Sequence, residues 1–103
     1  MRSELMGAFL DEVEEQLHQL EQDILQLEQE GESEQAIQNI FRTAHTLKGS
    51  SATMGFEQMK ALTHEMENVL DKIRTHQMGI SSEVVDVLFE CLDMLGVLKL
   101  EIE

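Results

Sequence analysis

The stretch that decides the fold is IQNIFRTAHTLKGSSATMGF, which runs from Ile37 to Phe56. Its inward positions, most of them apolar, recur every three or four residues, the spacing of one face of an α-helix. Gly55 follows the last of them, and glycine commonly occupies the position just after a helix end. The stretch therefore predicts a helix from Ser33, a candidate N-cap, to about Met54. Its inward face is Ile37, Ile40, Phe41, Ala44, Leu47, Ser51 and Met54.

Three other segments have the same period, and none shows strand alternation over a useful length. The first begins at Ser3, another candidate N-cap, and ends at Gly31, which we expect in the left-handed conformation. The third ends at Gly79, and the fourth begins at Ser81 or Ser82. The predicted helices are therefore about 3–30, 33–54, 57–77 and 81–103.

The apolar spacing also assigns an inward face to each of these three helices. The inward residues are Leu5, Phe9, Val13, Leu17, Leu20, Ile24 and Leu27 in the first, Met59, Leu62, Met66, Val69, Leu70 and Ile73 in the third, and Val84, Leu88, Cys91, Leu95, Leu98 and Ile102 in the fourth. Connections of two to five residues make consecutive helices antiparallel neighbours. The predicted fold class is all-α, an antiparallel up-down-up-down four-helix bundle. We expect one domain over 1–103, and because its fourth helix is periodic to the last residue, we expect it to be a piece of a longer protein.

The composition agrees with a helical bundle and argues against several functions. The 103 residues are 42% hydrophobic and include no proline, tryptophan or tyrosine. The net charge of −14 disfavours nucleic acid and anionic lipid as partners, because both are bound mainly through cationic side chains. The single Cys91 cannot form an internal disulfide, and no apolar run is long enough for a signal peptide or membrane span. We expect a cytoplasmic protein without direct membrane insertion.

His45 is predicted to lie at the edge of the second helix. At about 100° per residue, its direction is roughly 110° from the centre of the apolar face, so the ring should contact water. Arg42 and Lys48 flank it three residues away on either side, a local reversal of sign in an acidic chain. Gly49 costs about 1 kcal/mol relative to alanine inside a helix, and it leaves the approach to the imidazole open.

Glu67 is the acid that helix geometry places opposite His45. Its direction is roughly 115° from the apolar centre of the third helix, in the same rotational sense as that of His45. His45 is eleven residues before Phe56 and Glu67 is eleven residues after it. A chain reversal near Phe56 therefore brings the two side chains to the same height, and we predict a contact between them.

Such a pair has the chemistry of a phosphoryl carrier. A carboxylate bound to Nδ1–H fixes the tautomer of the ring and leaves the lone pair on Nε2. An exposed Nε2 beside cations suits phosphoryl groups, because the cations offset their negative charge during an in-line transfer. The sequence has no phosphate-binding loop, since Gly49 lies inside a helix. The chain can thus accept and pass on a phosphoryl group but shows no means of taking one from ATP.

The motif RTAHTLKGSSATMGF, followed by LTHEMENVLDKIR, resembles the histidine phosphotransfer domains, and most closely the N-terminal phosphotransfer domain of chemotaxis histidine kinases. The resemblance extends from FLDEVEEQL through the fourth helix. It implies that His45 accepts the phosphoryl group and that Glu67 orients the imidazole. It also implies that Lys48 compensates phosphate charge, that Gly49 gives access, and that His64 is a nearby histidine that can assist.

The resemblance also implies partners. In that family the donor is a kinase ATP-binding domain, usually acting in trans within a dimer, and it is this domain that uses ATP and Mg²⁺. The phosphotransfer domain itself then needs no cofactor. The acceptor is an aspartate on a response-regulator receiver such as CheY. The family's domain often has a fifth helix, which this sequence lacks.

Other functions remain open from the sequence. One is a free-standing phosphorelay shuttle, and another is a helical interaction module with heptad-like seams, for which His45 would be dispensable. A third is a metal site formed by His45, His64 and Glu67. Bundle metal sites use inward residues and paired Glu-x-x-His motifs, whereas the one such motif here, Glu15 to His18, points away from the apolar face.

Overall fold

The computed structural model describes residues 3–31 and 33–103, and within these ranges every regular element is an α-helix. The helices are α1 (Glu4–Glu30), α2 (Glu34–Met54), α3 (Glu57–Arg74) and α4 (Ser82–Ile102). α2 packs against α1 and α3, and α4 packs against the other sides of α1 and α3. The predicted all-α, up-down-up-down four-helix bundle is therefore confirmed.

Serine side chains begin three of the four helices, as predicted. In each case the hydroxyl oxygen accepts a hydrogen bond from the backbone N–H three residues on, which satisfies a donor that the helix leaves unpaired. The pairs are Ser3 with Met6 at 3.0 Å, Ser33 with Ala36 at 3.2 Å, and Ser81 with Val84 at 3.2 Å.

The reversal between α2 and α3 sets the register of that helix pair. Gly55 has a left-handed backbone (φ 81°, ψ 19°). Its N–H donates to the carbonyl of Ala52 at 3.1 Å, and the N–H of Phe56 donates to that of Ser51 at 2.9 Å, the bond pattern of a Schellman motif. The ring of Phe56 then stacks on Phe9 of α1 with centroids 5.3 Å apart. This two-residue connection is anchored at both the backbone and the side chain.

The predicted end of the third helix at residue 77 is wrong, because α3 ends at Arg74. Thr75 turns its hydroxyl back to the carbonyl of Asp71 at 2.9 Å, and His76 takes the left-handed position (φ 62°). Gly79 therefore lies inside the connection 75–81, which is longer than the expected two to five residues. The expectation for Gly31 is also wrong, since its ψ of −129° is far from the left-handed helical value.

The core lies between the four helices, but the predicted inward face of α4 is partly wrong. Its buried residues are Val85, Leu88, Leu92 and Leu95, whereas Cys91 is only half-buried. α4 also exposes four large apolar side chains, Val87, Met94, Val97 and Leu100. A helix that is apolar on most sides does not reveal its core direction by periodicity. In α1, Leu5 was also predicted to face inward, but it is 68% exposed.

Cys91 is unsuited to reactivity in this position. Burial raises the pKa of its thiol, and the nearby carboxylates of Glu90 and Glu65 raise it further. The thiol form, which is the unreactive one, is thereby favoured. Among residues 3–31 and 33–103, no helix combines the length and apolar character needed to cross a bilayer.

Two glycine substitutions separate backbone conformation from packing. A Cβ at Gly55 or at Gly49 would meet nothing within 4 Å, so neither change creates a clash. Gly55→Ala should lower the free energy of unfolding by about 1 kcal/mol because alanine resists the left-handed conformation. Gly49→Ala should raise it by about 0.5–1 kcal/mol because alanine is the better helix former. Urea unfolding followed by circular dichroism measures both, and equal stabilities for the two variants would contradict this account of the reversal.

Candidate functional site

His45 of α2 and Glu67 of α3 meet across the groove between their helices. His45 Nδ1 lies 3.0 Å from Glu67 Oε2, so the contact predicted from helix phase is present. The two side chains differ sharply in environment, since that of His45 is 65% exposed and that of Glu67 only 10%. A solvent-facing imidazole is thus held at one nitrogen by an acid that belongs to the interior.

Lys48 is the second partner of Glu67. Its Nζ forms an ion pair with Glu67 Oε1 at 2.9 Å, and its side chain is 28% exposed. One carboxylate therefore uses one oxygen for the imidazole and the other for the ammonium group. The predicted role of Lys48 is to compensate phosphate charge, and in this structure its ammonium group is paired with Glu67.

These contacts determine the protonation of the pair. Burial acts to raise the pKa of Glu67, but the Lys48 ammonium and the His45 ring outweigh burial and hold it below its ordinary value. Glu67 is therefore ionised near neutral pH and can only accept hydrogen bonds, so Nδ1 of His45 is the donor. A neutral imidazole then carries its lone pair on Nε2. Within the part of the chain that the structure describes, Nε2 makes no hydrogen bond.

Gly49 opens the surface one helical turn beyond His45. With no atom within 4 Å of a Cβ built at this position, the helix backbone there is accessible from outside. His45 and Gly49 line a shallow groove between α1 and α2 together with Ala8, Glu12 and Thr53. The imidazole therefore borders an open groove on the side of α1.

The structure does not link the other two candidates to the pair. His64 is exposed, and within residues 3–31 and 33–103 its side chain has no hydrogen bond or ion pair. The same holds for the guanidinium of Arg42, which is also exposed. In the described ranges no group of three or more His, Cys, Asp or Glu side chains is placed to hold a metal ion. The residues that come together are thus His45, Lys48 and Glu67.

Phe41 was predicted on the inward face of the second helix, but its contact with Arg74 beside the site was not predicted. The ring of Phe41 is nearly parallel to that of His45, with an angle of 7° and centroids 6.4 Å apart. The Arg74 guanidinium carbon lies 4.0 Å from the centroid of Phe41, and Arg74 also binds Asp71 at 2.9 Å. Helix spacing contained information about both residues. Phe41 is four residues before His45 and so lies on the same face of α2, and Arg74 is two helical turns after Glu67 and so lies on the same face of α3.

Comparison with known proteins gives the class of this site. Residues 4–101 match the model of the Hpt domain family, and the chain belongs to that family. The resemblance to histidine phosphotransfer domains is thereby confirmed.

Within this family, the chain is similar to proteins named chemotaxis protein CheA. The chain is 41% identical to chemotaxis protein CheA of Listeria monocytogenes over 103 residues, covering 100% of this chain and 17% of that protein. It is 45% identical to chemotaxis protein CheA of Bacillus subtilis over 93 residues, covering 90% and 14%. Among solved structures, the CheA phosphotransferase domain from Thermotoga maritima matches with a TM-score of 0.91 and 39% identity over 98% of each chain. The chain thus spans less than a fifth of these curated relatives.

Glu67→Gln should change both the stability of the bundle and its dependence on pH. At neutral pH the substitution should lower the free energy of unfolding by about 1 kcal/mol, because a charged partner of two side chains is lost. Since the pKa of Glu67 is held below its ordinary 4.5, its stabilising effect is present above that value and is lost as pH falls through the lowered pKa. The difference between wild type and variant should therefore shrink below about pH 4.5.

Urea unfolding between pH 3 and pH 7 measures this difference. Glu65→Gln, which removes an exposed acid from the same helix, is the matched control and should show no such convergence. A constant difference between wild type and Glu67→Gln over the whole range would refute the ionised carboxylate.

Proposed function

We propose that this domain carries a phosphoryl group on Nε2 of His45, from a kinase ATP-binding domain to an aspartate of a response-regulator receiver. The observation that carries the proposal is an imidazole 65% exposed whose Nδ1 lies 3.0 Å from a carboxylate only 10% exposed. A surface histidine without a role has no need of a buried acid that selects its tautomer. The selected tautomer is the one with its nucleophilic lone pair on the outer nitrogen.

The first transfer needs no proton to leave the ring. The Nε2 lone pair attacks the γ-phosphorus of ATP in line, an N–P bond forms, and the bond from phosphorus to the bridging oxygen breaks with its electron pair going to ADP. The imidazole keeps its proton on Nδ1 and gains positive charge as the bond forms. Glu67, whose Oε2 already accepts from Nδ1, stabilises that charge where it develops.

The second transfer reverses these changes at the ring. A carboxylate oxygen of the receiver attacks the phosphorus, the N–P bond breaks, and its electron pair returns to Nε2. The neutral imidazole is restored with the same tautomer, because Glu67 has held the Nδ1 proton throughout. His45 thus serves both steps without rearranging its hydrogen bond.

Lys48 is proposed to compensate phosphate charge from its position beside Glu67. Its side chain lies three residues beyond His45 on the same helix and is 28% exposed, and a long flexible stem allows its ammonium group to turn to phosphoryl oxygens. The charge of the two helices is consistent with a phosphoryl group near Lys48. α2 and α3 together carry five acidic and five basic residues, whereas the whole chain has a net charge of −14. The two helices that carry His45 and Glu67 are therefore less acidic than the rest of the chain, while Glu12 of α1 also lines the groove beside His45.

The proposed partners follow from the same chemistry. ATP and Mg²⁺ would be held by the kinase ATP-binding domain, acting in trans within a dimer, and the acceptor would be a receiver such as CheY. Support comes from the similarity to chemotaxis proteins named CheA, each several times longer than this chain. A cytoplasmic location is part of this proposal.

His45→Gln should abolish acid-labile phosphorylation by the kinase domain and leave the helical melting curve unchanged. Glutamine keeps much of the size of the side chain but lacks the nucleophilic nitrogen, and the position is mostly exposed. Radiolabelling from ATP with and without an acid wash measures the effect. His18→Gln on the exposed face of α1 is the control and should be labelled normally. Acid-labile label on His45→Gln would defeat the assignment of the carrier.

Glu67→Gln should slow phosphorylation without abolishing it. Losing the hydrogen bond that His45 donates to a charged carboxylate should raise the free energy of activation by about 1.5 kcal/mol. This corresponds to about a tenfold lower initial rate. Initial rates measured below saturation of the kinase, with Glu65→Gln as control, provide the comparison. A rate equal to that of wild type would remove the orienting role of Glu67 but not the role of His45.

A further inference from the structure

The His45 ring needs more than its hydrogen bond to Glu67 to hold a fixed orientation. That bond restrains one atom, Nδ1, at 3.0 Å, and the side chain is otherwise 65% exposed. A ring restrained at one atom can still tilt, and a tilt moves the Nε2 lone pair off the line of attack. In-line transfer requires reacting atoms about 3–3.5 Å apart with aligned orbitals, so the plane of the ring affects the rate.

The ring of Phe41 lies beside the imidazole, one helical turn before His45. Its ring is within 7° of parallel to the imidazole, and the centroids are 6.4 Å apart, within the separation of stacked aromatic pairs. Phe41 itself is anchored, because it is half-buried and packs against the core. The imidazole therefore has a partly buried aromatic neighbour on the side of the α2 N-terminus.

Arg74 of the neighbouring helix α3 contacts the ring of Phe41. Its guanidinium carbon lies 4.0 Å from the centroid of Phe41, a cation–π contact. The guanidinium also forms an ion pair with Asp71 at 2.9 Å, which favours this orientation. α2 and α3 are thereby joined at two heights, once by His45 with Glu67 and once by Phe41 with Arg74.

We infer that Phe41 and Arg74 are positioning residues that hold the plane of the His45 imidazole for phosphoryl transfer. The inference rests on the proposed function, since it concerns the rate of that transfer. Neither residue touches the phosphoryl group, and both act through the imidazole. Glu67 selects which nitrogen is free, and the Phe41–Arg74 pair restricts where that nitrogen points.

The test compares Phe41→Leu and Arg74→Gln with Lys72→Gln. The control removes a positive charge from an exposed position on the same helix, and within the described residues the Lys72 side chain has no ion pair. The first readout is the ¹³C order parameter of the His45 Cε1–H bond in the unphosphorylated chain. The second is the initial rate of phosphorylation by the kinase domain, and melting curves are recorded for every variant.

We expect Phe41→Leu and Arg74→Gln to lower the order parameter and to reduce the rate by about three- to tenfold, with Lys72→Gln at wild-type values for both. Phe41→Tyr, which keeps the ring, should restore both readouts. An unchanged order parameter in Arg74→Gln, or a rate that falls only with the melting temperature, would overturn the inference and leave a purely structural contact. The order parameter requires no kinase, so it judges positioning separately from the labelling of His45→Gln, which judges the proposed function.

Discussion

The hydrogen bond from His45 Nδ1 to Glu67 Oε2 is the interaction on which the site depends. It joins two helices, so it forms only when α2 and α3 are in the correct register, and Gly55 and the anchored Phe56 set that register. A shift of one residue would move Glu67 by about 1.5 Å along the helix axis and about 100° around it, out of reach of the ring. The conformation of one glycine thus governs the tautomer of an imidazole ten residues earlier.

The architecture could be predicted because its signals are local and strong. Serine N-caps and the glycine after Met54 marked the helix boundaries with side-chain and backbone chemistry that the structure then shows. The end of α3 could not be predicted, because His76 takes the left-handed conformation that glycine usually adopts after a helix. A histidine at this position does not by itself indicate a helix end. The core side of α4 was also hidden, since the helix is apolar on most of its surface.

The contacts of the site also differ in whether the sequence could predict them. The meeting of His45 with Glu67 followed from two helix phases and one turn, all of which are legible in the sequence. The ion pair of Lys48 with Glu67 did not, because a lysine with four rotatable side-chain bonds reaches several partners and its choice depends on the packed structure. The Phe41–Arg74 pair joins residues on the same two helices. Their helix faces could be read from the sequence, but their contact depends on how two long side chains are oriented in the packed structure.

Gly49 shows how far this domain is from its own optimum of stability. A methyl group would fit there without contact, so packing does not require a glycine at this position. Under the proposed function, in which Gly49 gives partners access to His45, stability and activity oppose each other at this position. A redesign guided by folding energy alone would replace Gly49 with alanine, and under the proposed function the slightly more stable bundle would give partners less access to the imidazole.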